Sequence, residues 1–209
     1  MTLDIKKYTN SIAQENSYLL SNASFNFVID PGSEPEQLIA DLKASGKPLA
    51  SIFLSHAHFD HIMGLDELLL AFPDAMLFLH AEEHSWLQDP KLNASQLFLG
   101  QPVTSTAQPN AYIIRAPYLF GETELSVRYT PGHSIGGVSL IFEKEKIVFS
   151  GDALFYHTIG RTDLPTGNQE QLLTSIHNEL LSLPDDYVIY PGHGPRTSVG
   201  EEKQNNPYL

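Results

Sequence analysis

The 209-residue chain contains no cysteine, which removes disulfides, thiolate metal ligands and a cysteine nucleophile together. Basic residues are scarce, 12 Lys and Arg against 25 Asp and Glu, for a formal net charge of −13. Nucleic acid and anionic lipid surfaces both need clustered cationic side chains, so neither is expected as a partner. No stretch reaches the about 18 apolar residues of a membrane span, and the opening MTLDIKKYTNSIAQENS lacks the apolar run of a secretory signal. The expectation is a cytoplasmic protein with no membrane partner. Low-complexity tracts are missing too, and 42% apolar residues suffice for a core. The length suits a single domain over residues 1–209.

Apolar runs at Tyr18–Leu20, Phe25–Ile29, Ile52–Leu54, Met76–Leu79, Leu125–Tyr129, Val138–Phe142, Ile147–Phe149 and Tyr187–Tyr190 read as strands. Three helices are interleaved with them. The first opens with the capping box Ser33-x-x-Glu36 and carries Leu38, Ile39 and Leu42 on one face. The second begins near Asp60, carries Leu65, Leu68 and Leu69, and ends by Pro73. The third starts at Asn168 with Gln171 as capping partner, carries Leu172, Leu173, Ile176 and Leu180, and stops before Pro184. Residues Gln88–Pro109 read as a loop or short helical excursion that buries Leu92, Leu97, Phe98 and Leu99. Asn22-Ala23-Ser24 and Asn93-Ala94-Ser95 match the glycosylation pattern, which is frequent by chance and carries no weight without export.

The chemistry concentrates after the strand Ile52–Leu54, where Ser55-His56-Ala57-His58-Phe59-Asp60-His61 places three imidazoles and a carboxylate within six residues. An extended chain sends alternate side chains the same way, so His56 and His58 can converge on one cation. Asp60 and His61 fall where the chain turns into a helix and can address a second. Thr130-Pro131-Gly132-His133, Ser150-Gly151-Asp152 and Tyr190-Pro191-Gly192-His193 each put a ligand type directly after an apolar strand, which implies one common edge. Singly, each is an ordinary turn. Together the set offers five imidazoles and two carboxylates, enough for two mixed N/O sites with a position open for water.

The HxHxDH signature followed by separate His, Asp and His turns resembles the metallo-β-lactamase superfamily. That likeness covers nearly the whole chain and implies an α/β fold, a four-layer αβ/βα sandwich with the site at one edge. It assigns His56, His58 and His133 to one metal, Asp60, His61 and His193 to a second, and Asp152 to the bridge; Asp60 and Asp152 are also the catalytic carboxylates. Two divalent ions are implied, expected to be zinc, with iron or manganese as alternatives. Gly160-Arg161-Thr162-Asp163-Leu164-Pro165-Thr166-Gly167 and Pro191-Gly192-His193-Gly194-Pro195 further resemble the short type II glyoxalases, hydroxyacylglutathione hydrolases without a helical C-terminal domain. The implied reaction is attack of a metal-bridging hydroxide on S-D-lactoylglutathione or a similar 2-hydroxyacyl thioester. By offset, Arg161 takes the place of the basic residue that contacts the glycine carboxylate of glutathione in the long enzymes, where tyrosines stand at the positions of Asp163 and Pro195.

An iron-dependent persulfide dioxygenase is the main alternative, since relatives with that activity share HxHxDH and Gly-Arg-Thr-Asp and need only His56, His133 and Asp152. A lactonase and a non-catalytic metal-binding domain rank below it. The remaining His80, His84, His157 and His177 are expected to be structural, with His157, Phe155 and Tyr156 the residues best placed to line a pocket after Asp152. Arg161 has a bland reading as well, a surface salt bridge to Asp163. Ser134 has no nucleophile elbow around it.

Overall fold

The alternation of apolar runs and turn residues becomes two six-stranded sheets with helices between their strands in the computed structural model, which describes residues 3–209. The chain forms two units: one runs to Tyr112 and also takes Leu119–Thr123, the other comprises Ile113–Tyr118 and Glu124–Leu209.

In the first unit β1 (Asp4–Thr9), β2 (Asn16–Ser21), β3 (Asn26–Ile29), β4 (Leu49–Phe53), β5 (Met76–Leu79) and β6 (Asn110–Ala111) lie in sequence order across the sheet. Pairing is antiparallel from β1 to β3 and parallel from β3 to β6. Parallel neighbours need crossovers, supplied by α1 (Glu36–Ser45) between β3 and β4, and by α2 (Phe59–Ile62) with α3 (Leu65–Ala71) between β4 and β5. Val28, Ile52, Leu54, Leu65 and Leu68 are wholly buried, as strands and helices covered on their inner faces require. Sequence reading misses β1 because Lys6 and Lys7 give it the polar, largely exposed character of an edge strand. Phe120 completes the core, its ring edge-on to Phe27 at 5.0 Å and to Phe53 at 6.1 Å.

Three local expectations change. Ser33 does not cap α1: Pro35, with φ preset at −79°, takes the N-cap place, and Gly46 closes the helix in the left-handed conformation. The second helix is broken at Met63–Gly64, where Gly64 N–H reaches Pro31 O at 2.9 Å and two backbones touch. The excursion after β5 is helical, a 3-10 helix Ala81–Gln88 followed by α4 (Ser95–Leu99), but Leu97 and Phe98 stay 69% and 46% exposed rather than buried. Asn93 anchors it instead: its side chain donates to Trp86 O at 3.0 Å and Val103 O at 2.9 Å, and accepts Ser95 N–H at 3.0 Å. A fully buried Asn93 is also closed to glycosylation.

The second unit takes the remaining strands, apart from the stretch Leu119–Thr123 that belongs to the first: β7 (Pro117–Phe120), β8 (Thr123–Tyr129), β9 (Val138–Phe142), β10 (Ile147–Gly151), the small hairpin β11 (Leu154–Phe155) and β12 (Thr158–Ile159), then β13 (Val188–Pro191) and β14 (Thr197–Ser198). Its large sheet runs β14-β13-β10-β9-β8-β7. β8, β9 and β10 alternate in direction while β13 is parallel to β10, so β8, β10 and β13 all end at the same edge. Asn168 caps α5 (Gln169–Ser175) as expected, accepting Gln171 N–H at 3.0 Å, and the helix continues as one π turn to Leu180. Leu172, Ile176 and Leu180 pack with Ile141, Val148, Ile189 and the Val199 that opens α6 (Val199–Asn205). No helix of the described residues is long and apolar enough to cross a membrane.

A Cβ on Gly64 would stand 2.6 Å from Gly32 O and 2.9 Å from the Pro35 ring. Backbone cannot yield cheaply there, so Gly64→Ala should lower the unfolding free energy by about 1–3 kcal/mol, read from the urea midpoint.

Candidate metal centre

Because β3 and β4 are parallel neighbours, the residues just past their carboxyl ends stand side by side. Asp30, at φ +51°, follows β3, and Ser55 follows β4 by two residues. Asp30 Oδ1 accepts Ser55 N–H at 2.7 Å; Oδ2 accepts the Ser55 hydroxyl at 2.6 Å and lies 3.0 Å from His61 Nδ1. Ser55 Oγ is in turn 3.0 Å from His56 Nδ1. Both imidazoles therefore have Nδ1 engaged by an anchoring group, the arrangement usual behind a histidine that binds metal through Nε2. His56, His58, Asp60 and His61 are all buried, with the His56 ring centroid 4.7 Å from that of His58 and 4.2 Å from that of His61. The expected convergence of His56 and His58, and the turn into a helix at Asp60 and His61, are both present.

Two acids nearby had no signal in the sequence. Glu15 is fully buried, accepts from Asn10 Nδ2 at 2.5 Å and Ser17 Oγ at 3.1 Å, and has Oε1 4.0 Å from His61 Nδ1. Burial, with Asp30 and Asp60 adding to it and His61 opposing, pushes the Glu15 carboxyl well above the usual carboxylate range. Glu83, also fully buried, accepts the Ala57 N–H at 2.6 Å.

The second unit brings its three expected donors to the shared edge: His133 follows β8, Asp152 follows β10 and His193 follows β13. Gly192 N–H bonds Gly151 O at 2.8 Å and ties two of the turns together. One oxygen of Asp152, Oδ2, is 3.5 Å from His133 Nε2 and 3.3 Å from His193 Nε2. Ligand atoms each about 2.05 Å from one tetrahedral cation stand about 3.3 Å apart, so the spacing suits metal ligation on both sides of this carboxylate. His133 Nδ1 is fixed by the Arg161 carbonyl oxygen at 2.8 Å. Gly160 permits this approach, for a Cβ there would meet Asp152 O at 1.9 Å. The donor set thus fits divalent cations, with four of the seven expected ligands in the first unit and three in the second.

Arg161 forks onto Asp163 through Nε at 2.7 Å and Nη2 at 2.8 Å, and this holds the Asp163 carboxyl down at about 2. The salt bridge named as its bland reading is formed. His157 tethers the β11–β12 turn to α6, its Nε2 2.7 Å from Glu201 Oε1 and its N–H on Glu202 Oε2 at 3.0 Å. Tyr156 stacks on His157 and Phe155 meets the His193 ring edge-on at 5.9 Å, so the hairpin lies beside His193. His80 accepts Glu82 N–H at the start of the 3-10 helix and His84 Nε2 lies 3.1 Å from Leu79 O, both structural roles.

A profile of the metallo-β-lactamase superfamily matches residues 12–193. The chain belongs to that superfamily. It is 44% identical over 99% of its length to a probable metallo-hydrolase of Streptococcus pyogenes, covering 90% of that protein. Over 94% of its length it is 33% identical to the hydroxyacylglutathione hydrolase GloC of Haemophilus influenzae, covering 93% of it. The crystal structure of the BLEG-1 B3 metallo-β-lactamase is 40% identical, with 99% of both chains covered and a TM-score of 0.93. A further protein, solved in a di-iron-bound form, is 36% identical over 98% of this chain and all of that one, at a TM-score of 0.86. The fold is the metallo-β-lactamase fold, α/β with helices flanking the sheets, and the chain is a metal-dependent hydrolase of that superfamily.

Asp30→Asn keeps the volume but offers one acceptor oxygen to three donors. Metal affinity should fall about 10- to 100-fold, measured by chelator competition, with unfolding free energy lower by about 1–3 kcal/mol. Undiminished affinity would show that His61 needs no anchor.

Proposed function

We propose that the chain is a thioester hydrolase acting as a single domain over residues 1–209. In this reading His56, His58 and His133 would hold one divalent ion, Asp60, His61 and His193 would hold a second, and Asp152 would be shared between them. The observation that carries it is Asp152 Oδ2 at ligand spacing from one histidine of each proposed set. Zinc is the metal proposed, and the di-iron-bound relative keeps iron as the alternative. When bound, the ions supply an activated water at neutral pH and polarise the substrate carbonyl.

The chain's own residues set the rest. Asp60 and Asp152 supply anionic ligands that neutralise the cations, and Asp30, Ser55 and the Arg161 carbonyl hold the imidazoles in their ligating tautomer. A thiol of pKa about 8.5 leaves as thiolate, so no strong general acid has to be provided. Arg161, half-exposed, is proposed to take a substrate carboxylate by exchange with Asp163. S-D-Lactoylglutathione or a similar 2-hydroxyacyl thioester is the substrate class, which the likeness to GloC supports. A second reading, β-lactam hydrolysis, is favoured by the likeness to BLEG-1.

About two equivalents of transition metal per chain are expected by elemental analysis. Asp152→Ala should deplete both, whereas His61→Ala should spare the first and weaken the second; two metals retained in Asp152→Ala would remove its bridging role.

Turnover is tested by following thioester absorbance and dissolved oxygen together, with lactoylglutathione, glutathione persulfide and a β-lactam in separate samples. Thioester loss without oxygen uptake is expected, and Arg161→Ala should raise KM for an acidic thioester about three- to ten-fold with kcat nearly unchanged. Oxygen uptake with persulfide and no thioester loss would replace the hydrolase by an iron dioxygenase. Turnover of the β-lactam alone would move the substrate to that class.

A further inference from the structure

Glu83 lies outside the ligand set, yet its carboxylate grips the ligand loop at its centre. Ala57, whose N–H it accepts at 2.6 Å, is the residue between His56 and His58. The orientation of that one peptide unit sets the directions in which both imidazoles leave the backbone. The same excursion holds the loop twice more: Asn93 O accepts the Phe59 N–H at 2.9 Å, and the Trp86 ring lies 5.7 Å from the ring of His58. Backbone donors at 57 and 59 are thus both taken by one brace, with the side chain between them packed on it. The brace is itself rigid, since Asn93 binds Trp86 O and Val103 O.

Glu83, on the 3-10 helix, has the reach to bring an acceptor oxygen to the Ala57 N–H. That reach matters because a displacement of a few tenths of an ångström misdirects a ligand. We propose that Glu83 is a positioning residue for the first metal ion, acting through the Ala57 N–H to aim His56 and His58. This rests on those two histidines being ligands.

The test separates reach from charge. Glu83→Gln keeps the length and an acceptor oxygen and should bind zinc within about three-fold of the wild type. Glu83→Asp keeps the charge but withdraws the acceptor by about 1.5 Å, one carbon–carbon bond. It should lose about 10- to 100-fold in zinc affinity, as should Glu83→Ala. Affinity is measured by chelator competition at a temperature below each variant's unfolding midpoint, and the midpoints of the metal-free proteins are recorded beside it. Should Glu83→Ala fail to fold, the Gln and Asp variants still decide. Lower midpoints with unchanged zinc affinity would mean Glu83 only supports the fold, and a Gln variant as weak as Asp would put the effect in its charge; either overturns the proposal. His56→Ala is the control for the ligand assignment: it should lose the ion, and retention would sink that assignment independently of Glu83.

Discussion

The ligand loop depends on one buried carboxylate. Asp30 receives three donors from the segment after β4, and it can do so because β3 and β4 run parallel and end together. A carboxyl group at 1% exposure is tolerable only when its oxygens are satisfied in this way. The left-handed backbone at Asp30 turns the chain into Pro31 and Gly32, where Gly64 touches the backbone and Glu15 fills the space that a Cβ on Gly32 would need. One residue therefore aligns His61, His56 through Ser55, and the entry to α3. Packing of the first unit and placing of its four His and Asp donors therefore rest on the same contacts.

The second unit reaches the same end by topology rather than by a single anchor. Two antiparallel steps and one parallel step bring the ends of β8, β10 and β13 to one edge, and each end carries a donor. Close backbone approach then replaces side-chain anchoring. Gly132, at φ +127°, has Leu172 N 2.3 Å from where a Cβ would sit, and Gly160 is pressed against Asp152. The turns carry little besides glycine, proline and ligands because little else fits.

What could be read from the sequence follows from how local each signal is. His56, His58, Asp60 and His61 lie within one loop, and His133, Asp152 and His193 each follow an apolar strand, so the place of each of these side chains past a strand end was legible. The residues that orient them were not. Asp30 meets Ser55 from 25 positions away and Glu83 meets Ala57 from 26, beyond the reach of any local pattern. Ser33 was a sound cap by pattern, but Pro35 already fixes the first turn. Leu97 and Phe98 look like core, yet Asn93 hydrogen bonds hold their helix and leave both side chains outward. Periodicity reports apolar spacing, and it is blind to polar anchors supplied from elsewhere in the chain.

The distribution of acid gives the net charge of −13 a local meaning. Glu15, Asp30, Asp60 and Glu83 are all buried around the three imidazoles of the first unit, an arrangement with far more negative than positive charge if the histidines are neutral. Hydrogen bonds offset part of that cost, and burial, raising the Glu15 carboxyl above the usual carboxylate range, works in the same direction. Divalent cations on the imidazole side would offset the remainder, and any ligand that binds only the folded chain also stabilises it. On this view the acids behind the histidines do two jobs at once. Asp30 fixes the His61 tautomer, and the buried negative charge as a whole would make a cation-bound folded state better off than an empty one.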